Sequence, residues 1–150
     1  YVTVSYWLVG FAPDVGKFFF FLLANWLILC TCTFFGMMLV NCTPSIGEAA
    51  LVMAFLSSNW DLFAGFYIPR PAMPVPFQAA YWLNPMAYVL YAVASSQLGN
   101  VTAPIEVPGS NGTVAVNDYI RDVYGFEPFG GPGMWGCIGV LLAFAALFLA

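Results

Sequence analysis

Histidine is missing from this sequence of 150 residues, and charge is nearly so. Three basic and seven acidic side chains make up 7% of the chain, against 62% hydrophobic residues. A soluble domain carries about 25% charged residues, because its surface must face water. Ten charges cannot clothe a globule of this length, so lipid is expected to replace water over much of its surface. Without histidine the commonest general base and the commonest metal ligand are both gone. No Ser/His/Asp or Cys/His nucleophile can then be assembled. The few basic residues form no stripe, which leaves nucleic-acid binding without an electrostatic footprint. No phosphate-cradling Gly-x-x-x-x-Gly-Lys-Ser/Thr is expected, and no Gly-x-Gly-x-x-Gly pattern. Neither a catalytic residue nor a bound cofactor or metal is expected on this chain. Tyr1 is no initiator, no basic region precedes an apolar run, and the last apolar stretch stops with the chain. Both ends are expected to be cuts in a longer protein.

What is abundant is apolar and aromatic. Aromatic residues reach 19%, with 15 Phe and 5 Trp, as suits either interfacial anchoring or a large aromatic core. Phe18–Val40 contains no charged residue over 23 positions, and about 20 helical residues cross the hydrocarbon core. This is the strongest spanning segment. Pro44 ends it, and Ser45 with Glu48 three residues on reads as a capping box for a second helix over about 46–67. Four prolines between Pro69 and Pro76 then impose an extended strap. Residues 77–97 are uncharged but interrupted at Asn84-Pro85 and crowded with Tyr and Trp, which predicts two short helices hinged there at one face of the bilayer. Residues 98–131 hold five of the ten charges and read as a water-exposed loop, with a short helix over Val116–Tyr124 capped by Asn117. A third span covers about 132–150, and residues 1–11 suit the end of a helix. The fold class is therefore all-α, a polytopic transmembrane bundle.

Two sequons, at Asn100 and Asn111, lie in the polar loop and place it outside the cell or in the lumen. A third at Asn41 then falls on the cytoplasmic side, unmodified. The positive-inside rule does not support this orientation, since Lys17, Arg70 and Arg121 all fall outside. Among the four cysteines, Cys30 and Cys32 point about 200° apart on a helix, so packing between helices fits them better than a metal. Asp61 is the most informative residue. A carboxylate within an apolar run lines a polar path, or it reaches the interface or Arg70. Asn25, mid-span, poses the same question, with a hydrogen bond to a neighbouring helix as the simpler reading.

The blocks Gly16-Lys17-Phe18-Phe19-Phe20-Phe21-Leu22-Leu23 and Thr33-Phe34-Phe35-Gly36-Met37-Met38-Leu39-Val40 resemble the membrane domain of subfamily G ATP-binding-cassette transporters, pleiotropic-drug-resistance type. Leu62-Phe63-Ala64-Gly65-Phe66-Tyr67-Ile68-Pro69-Arg70-Pro71, Tyr81-Trp82-Leu83-Asn84-Pro85-Met86-Ala87-Tyr88 and Ala94-Ser95-Ser96-Gln97-Leu98-Gly99 continue the likeness in order. The resemblance implies a partial six-helix domain. In it, 1–11 end helix three, 17–41, 46–67 and 132–150 are helices four to six, 77–97 are re-entrant, and 98–131 form the large outer loop.

It further implies an absent nucleotide-binding domain that uses ATP and Mg, and a second transmembrane half from the same chain or a homodimer. The membrane would be the plasma membrane and the cargo a lipophilic small molecule. Carried onto this chain, the cargo cavity falls on Ser58 and Asp61, and a bulky exit plug on Phe66 and Tyr67. Plant relatives usually carry Asn where this chain has Asp61, which departs from a purely apolar cavity. The aromatic cluster usual after the strap is also reduced here. The alternative function is a structural or channel-forming subunit without ATP coupling. A channel would want rings of like polar residues along a helix, and none is visible.

Overall fold

The computed structural model describes residues 2–11, 13–65, 67–68, 73–106, 113–125 and 130–149. Its elements are α1 (Val2–Val9), α2 (Val15–Cys42), α3 (Ile46–Leu62), α4 (Val75–Trp82), α5 (Pro85–Leu98), β1 (Pro104–Glu106), β2 (Thr113–Ala115), α6 (Val116–Tyr124) and α7 (Pro132–Leu149). Helix dominates, as expected, and the short β1–β2 pair is the one addition to an all-α architecture.

The helix ends are written in local chemistry. Helix α1 closes in a Schellman motif: Gly10 adopts φ +75°, its N–H donates to the Trp7 carbonyl, and the Phe11 N–H donates to that of Tyr6. Tyr6 is fully buried, its ring 5.1 to 5.4 Å from those of Phe11, Phe18 and Phe21. Asp14 caps α2 by accepting from the Gly16 N–H. Ser45 caps α3 by accepting from the Glu48 N–H, as the capping-box spacing predicts. Helix α3 stops at Leu62, within the 46–67 stretch, and Gly65 at φ +95° turns the chain away. A left-handed conformation there suits glycine alone.

Helices α2 and α7 are the two long and apolar enough to cross a membrane among the described residues. They run parallel. The Phe20 and Trp135 rings meet at 5.5 Å near the two N-termini, and those of Phe35 and Phe148 at 5.0 Å near the two C-termini. Helix α5 packs against both and runs antiparallel to α7, since Tyr88 at its start lies 6.2 Å from Phe144 near the far end of α7. Chain direction therefore has to reverse once between α2 and α7. At about 1.5 Å per residue the 17 residues of α3 and the 14 of α5 rise about 25 and 21 Å. Trp60, near the end of α3, reaches only to Phe35 of α2, with ring centroids at 4.8 Å. The return is thus shared between α3 and α5 in series.

The core joins Phe20, Ala24, Leu27 and Ile28 of α2 to Ala92 of α5 and Met134, Cys137, Ile138 and Leu141 of α7. The α7 residues follow i, i+3, i+4, i+7 spacing and the α2 residues i, i+4, i+7, i+8, one stripe on each helix. The small side chains Ala24 and Ala92 are fully buried and let the backbones approach. The opposite faces are equally apolar: Phe19, Trp26 and Leu29 of α2 are about 60% exposed. Helices apolar all round suit lipid and not water.

Within these helices polar side chains turn back on their own backbone. Asn25 donates to the Phe21 carbonyl at 2.8 Å, Thr31 to Leu27 at 2.9 Å and Thr33 to Leu29 at 2.7 Å. Asn25 therefore bonds within its own helix and does not bridge to a neighbour. The carbonyl one turn back is always within reach, whereas a neighbouring acceptor would need a matching register.

The polar segment folds into the β1–β2 pair and α6. The pair is antiparallel, with Pro104 opposite Ala115, Ile105 opposite Val114 and Glu106 opposite Thr113. Helix α6 covers Val116–Tyr124 as predicted, but its cap is Ala115, without a side-chain bond. Asn117 lies one residue inside the helix, and its oxygen accepts from the Asp118 N–H. The first amides are satisfied from the segment leading into β1 instead: Val116 N–H donates to the Ala103 carbonyl and Asn117 N–H to that of Val101. Ile120 is buried beneath α6, which rests on α5.

Candidate functional site

The last turn of α3 gathers Ser58, Asn59, Trp60 and Asp61. Ser58 and Asp61 are three apart, hence neighbours on one helix face, and both are exposed. The Ser58 hydroxyl donates to the Ala54 carbonyl at 2.9 Å, and the Asn59 amide to Phe55 at 2.7 Å. Asp61 lies where the helix macrodipole is negative, so a carboxylate there is mildly unfavourable. No basic residue occupies that last turn. Local stability gives no reason for an acid at this position.

Below this turn the chain is pinned by a residue that sequence reasoning took only as a hinge. Asn84 is fully buried. Its oxygen accepts from the Met86 N–H at 2.9 Å and caps α5, with Pro85 at the first helical position. Its amide donates to the Trp60 carbonyl, one of the orphan acceptors at the end of α3. One carboxamide thus closes two helix ends. The signal available in the sequence was Asn-Pro before an apolar helix, which announces the cap but not the second partner.

Of the other predicted residues, Tyr67 is 71% exposed just beyond Gly65, and Phe66 lies outside the described residues. Asn100 is exposed in the turn after α5. Asn111 lies outside the described residues, as does Arg70, the alternative partner of Asp61. The structure brings Ser58 and Asp61 together at the end of α3, with Tyr67 in the turn that follows.

Gly131–Gly136 has the spacing Gly-x-Gly-x-x-Gly, which corrects the expectation that no such pattern occurs. It opens α7 with Pro132 as first residue, and no described strand leads into it, so it lacks the strand–turn–helix setting of a dinucleotide loop. Among the described residues no group of three or more His, Cys, Asp or Glu is placed to hold a metal. None of the four cysteines is bridged.

Two cavities lie away from Asp61. One, of about 320 Å³, is walled by Phe11, Leu90, Val93, Leu98 and Ile120 at the C-terminal end of α5. The other, of about 340 Å³, lies between the α4–α5 pair and the start of α7, lined by Tyr81, Trp82, Tyr88 and Tyr91 and by Gly133 and Gly136.

Two parallel helices long and apolar enough to cross a membrane, with apolar residues on their outer faces, fit an integral membrane protein. The chain belongs to the ABC-2 type transporter family, whose model matches residues 1–98. It is 41% identical over 127 residues to pleiotropic drug resistance protein 1 of Nicotiana tabacum, covering 85% of this chain and 8% of that protein. It is 36% identical over 148 residues to ABC transporter G family member 40 of Arabidopsis thaliana, covering 99% of this chain and 10% of the relative. The match to pleiotropic drug resistance protein 2 of Nicotiana plumbaginifolia is 34% over 127 residues. The chain spans about a tenth of the length of these relatives.

Proposed function

We propose that this chain is a membrane-spanning part of an ATP-driven exporter of lipophilic compounds, situated in the plasma membrane. Similarity to pleiotropic drug resistance and G-family transporters along nearly the whole chain carries this reading. ATP and Mg are used by a nucleotide-binding domain elsewhere, and a second transmembrane half encloses the path. Helices α2, α3 and α7 correspond to helices four, five and six of the domain, and α1 to the end of helix three. The α4–α5 pair is re-entrant, and the segment with β1, β2 and α6 faces outward, where Asn100 and Asn111 accept glycans.

In this arrangement Ser58 and Asp61 line the cargo path, and Phe66 with Tyr67 form the plug at its exit. Alternating access follows: an inward-open cavity takes lipophilic cargo, and closure of the nucleotide domains drives it past the plug. The exposed, dipole-opposed carboxylate of Asp61 supports a role in the path rather than in folding. The test is ATP-dependent uptake of lipophilic compounds into inside-out vesicles bearing the full-length protein. Cargo-stimulated ATP hydrolysis with matching uptake is expected, and passive flux indifferent to ATP would replace the exporter with a channel or scaffold.

A further inference from the structure

We propose that the cavity between the α4–α5 pair and the start of α7 binds a quaternary ammonium group of the choline type. This site is separate from Ser58, Asp61 and Tyr67, none of which lines it.

At about 340 Å³ the cavity is of small-ligand size. One side is built of Tyr81, Trp82, Tyr88 and Tyr91, the other of Gly133, Gly136, Cys137 and Val140, and among the described residues no charged side chain lines it. A methylated cation is poorly hydrated, and aromatic quadrupoles attract it without a counter-charge. The rings are set at angles to one another, as a cage requires. Tyr81 and Trp82 lie 5.8 Å apart at 87°, and Trp82 and Tyr88 6.5 Å apart at 50°. They are also held in place. The Tyr88 hydroxyl donates to the Trp82 carbonyl at 2.8 Å, and Tyr81 is buried with an edge 3.0 Å from where Gly65 would carry a Cβ.

Glycine on α7 leaves the opposite wall flat, and a Cβ at Gly136 would meet nothing within 4 Å. The neighbouring cavity makes the contrast: its walls are chiefly aliphatic, which is what a hydrocarbon needs. Four aromatic side chains in place of Leu and Val add nothing for a neutral hydrocarbon but much for a soft cation. From Gly133 to Val140 the cavity covers the first two turns of α7. Its Trp82 and Tyr88 side lies toward Phe144, past the middle of α7, so a choline-type cation in passage, or a choline headgroup drawn in from the bilayer, would present its ammonium below the headgroup layer.

The experiment compares choline with 3,3-dimethylbutan-1-ol, its neutral isostere, as stabilisers of the purified full-length transporter against thermal unfolding, at matched ionic strength. Choline is expected to raise the midpoint at roughly tenfold lower concentration than the isostere, the preference a desolvated cation–π contact gives. Trp82→Leu and Tyr88→Leu should abolish the preference. Tyr88→Phe, which keeps the ring, should retain it, as should Asp61→Asn, which separates this site from the cargo path. Equal effects of choline and isostere would leave only an apolar pocket and overturn the proposal, and so would no effect of either together with no stabilisation by phosphatidylcholine. Transfer into phosphatidylcholine or phosphatidylglycerol nanodiscs resolves the source. Stabilisation by free choline in phosphatidylglycerol indicates a soluble cation. Stabilisation by phosphatidylcholine alone, with that lipid retained through purification, indicates a bilayer headgroup.

Discussion

Asn84 has a donor and an acceptor on one short side chain, and the structure uses both at once. Its oxygen caps α5 while its amide closes the end of α3. Replacing it with Ala loses the cap and leaves the Trp60 carbonyl buried without that partner, at a cost of about 1–3 kcal/mol. The expected result is a lowered unfolding midpoint and reduced monodisperse yield of the full-length transporter in fluorescence-detected size exclusion. Asn84→Asp keeps the capping oxygen but sets a buried carboxylate against the Trp60 carbonyl, so its midpoint should fall at least as far as that of the Ala variant. Asp61 is the opposite case, a side chain that α3 does not need. Asp61→Asn removes a carboxylate from the negative end of a helix, so folded yield should be unchanged or raised. Export of cationic compounds is expected to fall more than export of neutral ones, measured as vesicle uptake. Equal losses would remove Asp61 from cargo selection.

At the scale of elements, the junction between α3 and α4 depends on one backbone conformation. Gly65 combines φ +95° with a Cβ direction only 3.0 Å from the buried Tyr81 ring. Gly65→Ala incurs the left-handed penalty, about 1–2 kcal/mol, and also displaces Tyr81. Its midpoint should fall further than that of Gly36→Ala, where a Cβ meets nothing within 4 Å. A smaller effect at Gly65 than at Gly36 would show that the turn tolerates other conformations. The same turn carries Tyr67 and leads into the strap. Shrinking Phe66 and Tyr67 to Ala is expected to leave ATP turnover intact while export per ATP falls. Unchanged coupling would remove the plug assignment.

For the whole molecule, the medium is the deciding variable. Leu29 is 61% exposed on α2. In water Leu29→Arg would be within about 0.5 kcal/mol of neutral, whereas at the centre of a spanning helix Arg costs about 2.5–3.5 kcal/mol. We expect clear loss of inserted protein for Leu29→Arg and little for Leu29→Phe, scored by membrane fractionation. Indifference to the Arg substitution would place that face in water.

Much of this architecture was legible in the chain itself. Charge-free runs gave α2 and α7, because only lipid or a core accepts 18 or more apolar residues in succession. Ser45 with Glu48 and Asn84 with Pro85 marked helix starts, because caps are local and residue-specific. The candidate path residues Ser58, Asp61, Phe66 and Tyr67 rest on the family likeness alone. Less legible were features that depend on contacts distant in sequence. Apolar residues on every face of α2 and α7 hide which stripe is the core, so neither the parallel pairing of α2 with α7 nor the division of the return between α3 and α5 could be read. The β1–β2 pair escaped notice because three-residue strands carry no periodicity. The cap of α6 was misassigned because its amides are met by carbonyls more than a dozen residues away.

The sequence by itself determined the medium, the helix starts and the family, since each follows from composition, local chemistry or ordered blocks of residues. The tertiary structure alone decided that one buried amide joins α3 to α5, and that four aromatic residues face two glycines across a cavity. Packing in a medium where every helix face is apolar is set by shape and hydrogen-bond geometry, and a hydrophobic pattern carries neither.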